Sequence, residues 1–155
     1  KPDAARSQIR YAYFKDYNGW YFIQTTESVN PFWQGDYANV HFTFIPPNNK
    51  PFDNKNLYIT SNFTNDKLNE ESKLEFNDDE GVYEKSFLLK QGYYTYSYVT
   101  TDNNNPNTKA NQSITEGNLW DTENDYTVFV YYRSLNGRHD ELVAITTANS
   151  KLLIR

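Results

Sequence analysis

The chain has 155 residues, a length that matches one ordinary domain and excludes a large multidomain enzyme. Aromatic residues make up 17% of the sequence, and so many rings indicate a packed core, which excludes global disorder despite a mean hydropathy of -0.88. The net charge of -5 includes no basic run, which disfavours nucleic acid as a partner, and no apolar run approaches the roughly 20 residues of a membrane-spanning helix.

Two residue types are missing altogether. The sequence has no Cys and no Met. Disulfides, thiol nucleophiles and cysteine metal sites are therefore excluded. Because a chain without Met cannot begin at its own initiator, we expect residues 1–155 to be a single domain excised from a longer protein.

The first predicted elements are strands. Residues 8–15 and 20–25 are expected to form a hairpin that turns at Tyr17, Asn18 and Gly19. Strict alternation is clearest in residues 39–44, and it predicts a half-buried strand with three side chains on the inner face: Val40, Phe42 and Phe44. Pro46 and Pro47 should end this strand.

The middle of the chain predicts further hairpins. In residues 57–60, Leu57 and Ile59 are expected to face inward. Strands over residues 73–76 and 82–89 should be joined by the turn formers of residues 77–81. After a second turn at Gln91 and Gly92, one strand should carry Tyr94, Tyr96 and Tyr98 on the same side. Residues 102–111 are too polar for a core and are expected to form a mobile surface loop.

The last predicted strands are more apolar. Residues 126–132 are apolar on both faces, as expected of a central strand that is covered on both sides. Residues 141–146 should pair with it across Asn136 and Gly137. Eight to ten short strands without a helical period predict an all-β, Ig-like antiparallel β-sandwich over residues 1–155.

Catalytic signals are weak. His41 lies on the polar face of a predicted strand, and neither it nor His139 belongs to a known catalytic motif. Four acidic residues, Glu116, Asp121, Glu123 and Asp125, could bind calcium, but a solvated acidic turn is the favoured interpretation. The sequence therefore predicts a protein that is not an enzyme and that has no cofactor or metal site.

Exposed aromatic side chains are the stronger functional candidates, because rings on a sheet can bind sugars or peptides. The alternative is that most rings form the core. Candidates on outward faces are Tyr58, Tyr93, Phe129 and Tyr131. Residues 101–124 lack evident secondary structure, and Trp120 within them is a possible anchor for a partner, or else covers a sheet edge.

Two strings resemble the glycogen-binding type of Ig-like module. They are LYITSNFTN at residues 57–65 and LLKQGYYTYSYV at residues 88–99, with Gly81, Val82 and Tyr83 between them. Asp66 stands where that module usually has Trp. This resemblance implies an α-glucan-binding module as the alternative function.

A closer resemblance covers residues 16 to about 150. It adds DYNG at residues 16–19, DYANVHF at residues 36–42 and EGNLWDTENDYTVFVYYR at residues 116–133, followed by RHDEL at residues 138–142. This order of strings resembles the plug protein of the bacterial type IX secretion system. The resemblance implies a periplasmic protein, associated with the outer membrane, that docks on the outer-membrane translocon and blocks its periplasmic mouth.

Overall fold

Short strands dominate the secondary structure. Within the described residues, the strands are β1 (Asp3–Ala4), β2 (Tyr21–Ile23), β3 (Tyr37–Ile45), β4 (Lys55–Ser61), β5 (Lys73–Asn77), β6 (Val82–Lys90), β7 (Gly92–Tyr94), β8 (Tyr96–Asp102), β9 (Asp125–Tyr132) and β10 (Glu141–Asn149). A four-residue helix, α1 (Pro31–Gln34), and 3₁₀ turns at Pro47–Asn49 and Asn62–Thr64 lie between them. No helix in this part of the chain is long and apolar enough to cross a bilayer.

A computed structural model describes residues 1–7, 9–10, 19–26, 30–103, 109–120 and 122–151. Its contacts divide the chain into two units, Lys1–Leu119 and Trp120–Arg155, which we call unit 1 and unit 2. Unit 1 contains β1 to β8, and unit 2 contains β9 and β10. The prediction of one domain over residues 1–155 stays a prediction.

Unit 1 is an Ig-like β-sandwich, and the predicted all-β fold is confirmed. The strands follow the order β1-β3-β6-β5-β4-β8, and apart from the parallel β1–β3 pair their pairing is antiparallel. β5 joins the two layers, because Lys73 and Leu74 pair with β4 whereas residues 75–77 pair with β6. The layers meet where Phe44 of β3 packs on Tyr98 of β8, with ring centroids 4.8 Å apart.

The core forms where the inner faces of both layers meet. Its buried members are Phe42, Phe44, Leu57, Ile59, Leu74, Tyr83, Leu89 and Tyr98. The predicted inward positions on β3 and β4 are thus confirmed, with one exception. Val40 remains 36% exposed, because residues 37–41 of β3 are all exposed and only the second half of the strand enters the core.

The predicted turns fall between the observed strands. Pro46 and Pro47 follow the last residue of β3, as expected. The hairpin of β5 and β6 closes where the Gly81 N–H donates to the Asn77 carbonyl oxygen at 2.8 Å. The predicted single strand carrying three tyrosines is wrong, because the chain leaves β7 at Tyr94 and enters β8 at Tyr96. β7 pairs with β2, whereas β8 pairs with β4.

Two sequence predictions lie partly outside the described residues. Of the predicted amino-terminal hairpin, residues 8 and 11–18 are not described, whereas Tyr21–Ile23 forms β2 and pairs with β7. Of the predicted loop over residues 102–111, residues 104–108 are not described. At its far end, Asn111 forms an antiparallel bridge with Thr100 of β8.

Unit 2 is an antiparallel ribbon. β9 pairs with β10 from Asp125 opposite Asn149 to Tyr132 opposite Glu141, with a bulge between Leu142 and Ala144. The predicted pairing of these strands is confirmed. The prediction that β9 is covered on both sides is wrong for this structure, because all eight of its residues are exposed. Its sequence is that of a buried strand, but a two-stranded ribbon supplies no covering layer.

Candidate functional site

The five aromatic candidates differ in exposure. Tyr93 on β7 and Phe129 and Tyr131 on β9 are exposed, and Trp120 is 91% exposed. Tyr58 is only 8% exposed, so its prediction as an outward-facing residue is wrong. Leu57, Tyr58 and Ile59 are consecutive in β4 and all three are buried, so both faces of the strand are covered at this point.

Only two of these candidates are brought together by the structure on one strand face. Phe129 and Tyr131 alternate along β9, and the register places Ile145 and Leu142 of β10 directly opposite them. Tyr93 belongs to unit 1, where it lies opposite Phe22 in the β2–β7 pair. Of the exposed candidates on strands, Tyr93 therefore belongs to unit 1, and Phe129 and Tyr131 belong to unit 2.

A further exposed aromatic surface of unit 1 centres on helix α1, which sequence reasoning missed. Asn30 caps the helix, since its side-chain oxygen accepts a hydrogen bond from the Phe32 N–H at 3.1 Å, and Pro31 occupies the first turn. With only four residues the helix buries none of its side chains, and Trp33 is 85% exposed. The string Asn-Pro followed by two rings was the signal that could have located it.

Lys90 connects this helix to the sheet. Its ammonium group donates to the Phe32 carbonyl oxygen at 2.9 Å and lies 4.9 Å from the centroid of the Tyr37 ring. Tyr37 is directly opposite Lys90 in the β3–β6 register. Because a cation over a ring face is attracted to it, the lysine holds Tyr37 and α1 in one arrangement.

Three exposed aromatic side chains lie on α1 or opposite Lys90 on β3, and Leu88 lies two residues before Lys90 on β6. We call Phe32, Trp33, Tyr37 and Leu88 the aromatic end of unit 1; all four are exposed by more than half. Leu88 and Lys90 share one face of β6, because alternate residues of a strand point the same way. The aromatic end is thus an apolar surface with one positive charge fixed by a hydrogen bond within it.

The outer face of β3, β5 and β6 carries a polar groove of about 510 Å³. His41 Nδ1 lies 2.6 Å from the Ser86 hydroxyl oxygen, and Glu75 lies opposite Glu84 in the register. A serine and a histidine in contact are two members of a nucleophilic arrangement, which further requires an orienting group and an oxyanion hole. His41 and Ser86 are both exposed on this face. His139 is also exposed, with Nε2 3.8 Å from a Glu141 carboxylate oxygen.

A second polar cluster joins the two layers of the sandwich. Asp3 on β1 accepts hydrogen bonds from the hydroxyls of Tyr96 and Tyr98 on β8, at 2.8 and 2.9 Å. Burial raises the pKa of the Tyr96 hydroxyl to about 12, and the hydrogen bond to Asp3 adds to this increase. Burial is also the main cause that raises the pKa of Tyr98, and the negative charge of Asp3 is the second.

The acidic residues considered for calcium have other partners. One Glu116 oxygen accepts from the Tyr98 N–H at 2.8 Å, and the other lies 3.2 Å from Arg6. Glu123 and Asp125 both accept from the side-chain amide of Asn149 at 2.7 Å, whereas Asp121 lies outside the described residues. In the described part of the chain, no group of three or more His, Asp or Glu side chains is arranged to hold a metal ion.

Comparison with known proteins shows a similarity to a solved structure. No protein family and no curated protein matches the chain. The crystal structure of a hypothetical protein from Parabacteroides merdae, determined at 2.30 Å resolution, is similar to it with 33% sequence identity and a TM-score of 0.77. The match covers 96% of this chain and 36% of that one, so this chain spans little more than a third of the length of that protein.

Proposed function

We propose that this chain is a non-catalytic docking module of the type IX protein secretion apparatus, which binds the outer-membrane translocon from the periplasmic side. The observation that carries the proposal is the aromatic end, an exposed apolar surface around a lysine that the fold holds in place. The resemblance of residues 16 to about 150 to the plug protein supports the choice of apparatus. Function would then be steric, since a bound module blocks the mouth of the translocon.

The chemistry of the aromatic end suits adhesion between proteins. Interfaces concentrate their binding energy in a few large side chains, with Trp, Tyr and Arg enriched among them. Trp33 and Tyr37 supply two such side chains, and Leu88 extends the apolar area beside them. The hydrogen bond from Lys90 to the Phe32 carbonyl oxygen limits the motion of α1, which lowers the entropy lost on binding.

The test is co-purification of the full-length parent protein with the outer-membrane translocon. We expect Trp33→Ala combined with Tyr37→Ala to lower the captured amount at least about tenfold, as the loss of two central anchors does elsewhere. Leu135→Ala is the matched control, because Leu135 is an exposed apolar residue in the turn between β9 and β10. Failure of the unmodified protein to co-purify with any outer-membrane partner would contradict the proposal.

The alternative function is α-glucan binding. The exposed rings of Trp33 and Tyr37 favour it, because sugars stack on such rings. The turn that resembles the glycogen-binding module supports sugar binding less well. Its Phe63 ring packs against the rings of Phe42 and Phe87, with centroids 5.7 and 5.0 Å apart. Titration with maltooligosaccharides, followed by tryptophan fluorescence and calorimetry, separates the two functions. No change up to millimolar sugar would exclude glucan binding.

A further inference from the structure

The ribbon of β9 and β10 is apolar on both faces. One face carries Phe129 and Tyr131, with Ile145 and Leu142 opposite them. The other face carries the alternate residues of β9, which are Tyr126, Val128, Val130 and Tyr132. Each of these eight side chains is 44 to 60% exposed. The ribbon therefore presents two large apolar surfaces, one on either side.

This pattern is that of the interior of a sheet. An antiparallel sheet with one solvated face alternates apolar and polar residues, whereas strands covered on both faces are apolar throughout. From Leu142 to Asn149, β10 contains no charged residue, and after Asp125 β9 contains none either. Solvent-facing edge strands commonly carry Lys or Pro, which hinder pairing with further strands. Neither strand of the ribbon contains Lys or Pro.

The ribbon also has room for further strands. Among the described residues, β9 and β10 form a sheet of two strands and pair only with each other. A two-stranded hairpin is marginally stable at best in water, whereas three or more strands with a covered apolar face are stable. Addition of strands at its edges and of layers on its faces would satisfy both the backbone and the apolar side chains.

A second copy of the chain would cover the ribbon incompletely. Two ribbons packed face to face bury one surface of each and leave the other exposed. Covering both faces requires more polypeptide than one partner ribbon supplies. The similar protein from Parabacteroides merdae is longer than this chain, because the match covers only 36% of it, so polypeptide beyond the matched region is present in that protein.

We propose that the ribbon is the central hairpin of a second β-sheet domain, whose other strands and covering layers come from polypeptide of the same protein outside residues 1–155. Phe129, Tyr131, Leu142 and Ile145 would form part of the core of that domain on one side, and the valines of β9 on the other. The inference is independent of the docking function proposed for unit 1.

Amide hydrogen exchange, measured by mass spectrometry, tests this proposal by comparing the isolated 155-residue chain with the full-length parent protein. We expect amides of β9 and β10 to exchange at least about 100-fold more slowly in the parent protein. Amides of β3 and β6 serve as the internal control, because they lie in the sandwich and should be protected in both. Equal exchange of the ribbon in the two proteins would overturn the proposal, as would a native protein no longer than 155 residues.

A substitution then tests which side chains are covered. In the parent protein, Phe129→Glu should abolish the protection of the ribbon while β3 and β6 stay protected, since it places a charge in the proposed core. Leu135→Glu is the matched control in the exposed turn and should leave protection unchanged. Sedimentation equilibrium of the isolated chain addresses the competing occupant: a dimer that already protects the ribbon would overturn the proposal in favour of a second copy.

Discussion

Phe42 and Thr43 are neighbours in β3 whose side chains point to opposite faces of the sheet. The buried Phe42 ring lies 5.7 Å from that of Phe87 and 5.0 Å from that of Tyr96. Replacement by Ala removes these contacts and leaves a cavity. We therefore expect Phe42→Ala to lower the free energy of unfolding by about 3–5 kcal/mol, measured by urea denaturation.

Thr43→Ala is the matched control on the same strand. Thr43 lines the groove on the outer face, so we expect its loss to lower the free energy of unfolding by well under about 1 kcal/mol. Similar losses for the two variants would contradict the assignment of the inner face to Phe42.

Two single residues, Val40 and Tyr58, differ from the sequence prediction. The alternation correctly placed Phe42 and Phe44 inward, but it gave Val40 the same status, although that part of β3 extends beyond the core. Tyr58 was predicted to face outward and is buried. In each case the alternation assigns the residue to one face of its strand, whereas the burial of that face depends on other elements of the fold.

At the scale of elements, the turn between β5 and β6 depends on Gly81. Its φ of +67° lies in the left-handed region, and a Cβ added there would lie 2.8 Å from the Asn49 Cβ atom. Both the dihedral angle and the contact disfavour any other residue. We expect Gly81→Ala to lower the free energy of unfolding by about 1–3 kcal/mol, measured by thermal and urea denaturation.

Gly19→Ala is a control with the same kind of dihedral angle but without the close contact. Gly19 also has a positive φ, +84°, but among the described residues no heavy atom beyond its chain neighbours lies within 4 Å of an added Cβ. Its substitution should therefore cost less than that of Gly81. An unchanged stability of Gly81→Ala would show that the turn relaxes without strain.

Elements also differed in how fully the sequence predicted them. The hairpins β5–β6 and β9–β10 were predicted, because their turn formers and alternating strands are contiguous in sequence. The break between β7 and β8 was not, because Tyr94 and Tyr96 continue one alternating pattern. The structure divides this segment into two strands because β7 pairs with β2, whereas β8 pairs with β4.

At the scale of the whole sandwich, Asp3 connects the layer of β1 to the layer of β8 through two tyrosine hydroxyls. Burial holds the pKa of Tyr96 at about 12 in the folded protein, above the ordinary value of about 10. Below pH 10 the hydroxyl is protonated in both states, so its contribution is complete there. Between about pH 10 and 12 only the unfolded state ionises, and stability falls as the pH rises.

The free energy of unfolding, measured by urea denaturation from pH 8 to 12, tests this linkage. We expect it to fall above about pH 10, and Tyr98→Phe to make that fall shallower because one raised pKa is removed. Thr43→Ala is the control, since it removes no titratable group and should leave the slope unchanged. Identical slopes for the unmodified protein and Tyr98→Phe would contradict the assigned cause.

The all-β class, the positions of most strands and the residues that share a face follow from the sequence, because they depend on the two-residue period of a strand and on turn chemistry. The tertiary structure alone decided which faces are covered. It buried Tyr58, exposed β9 along its whole length and assembled the aromatic end from α1, β3 and β6. Burial depends on what packs against a face from distant parts of the chain, whereas local periodicity shows which residues share a face but not which element packs against it.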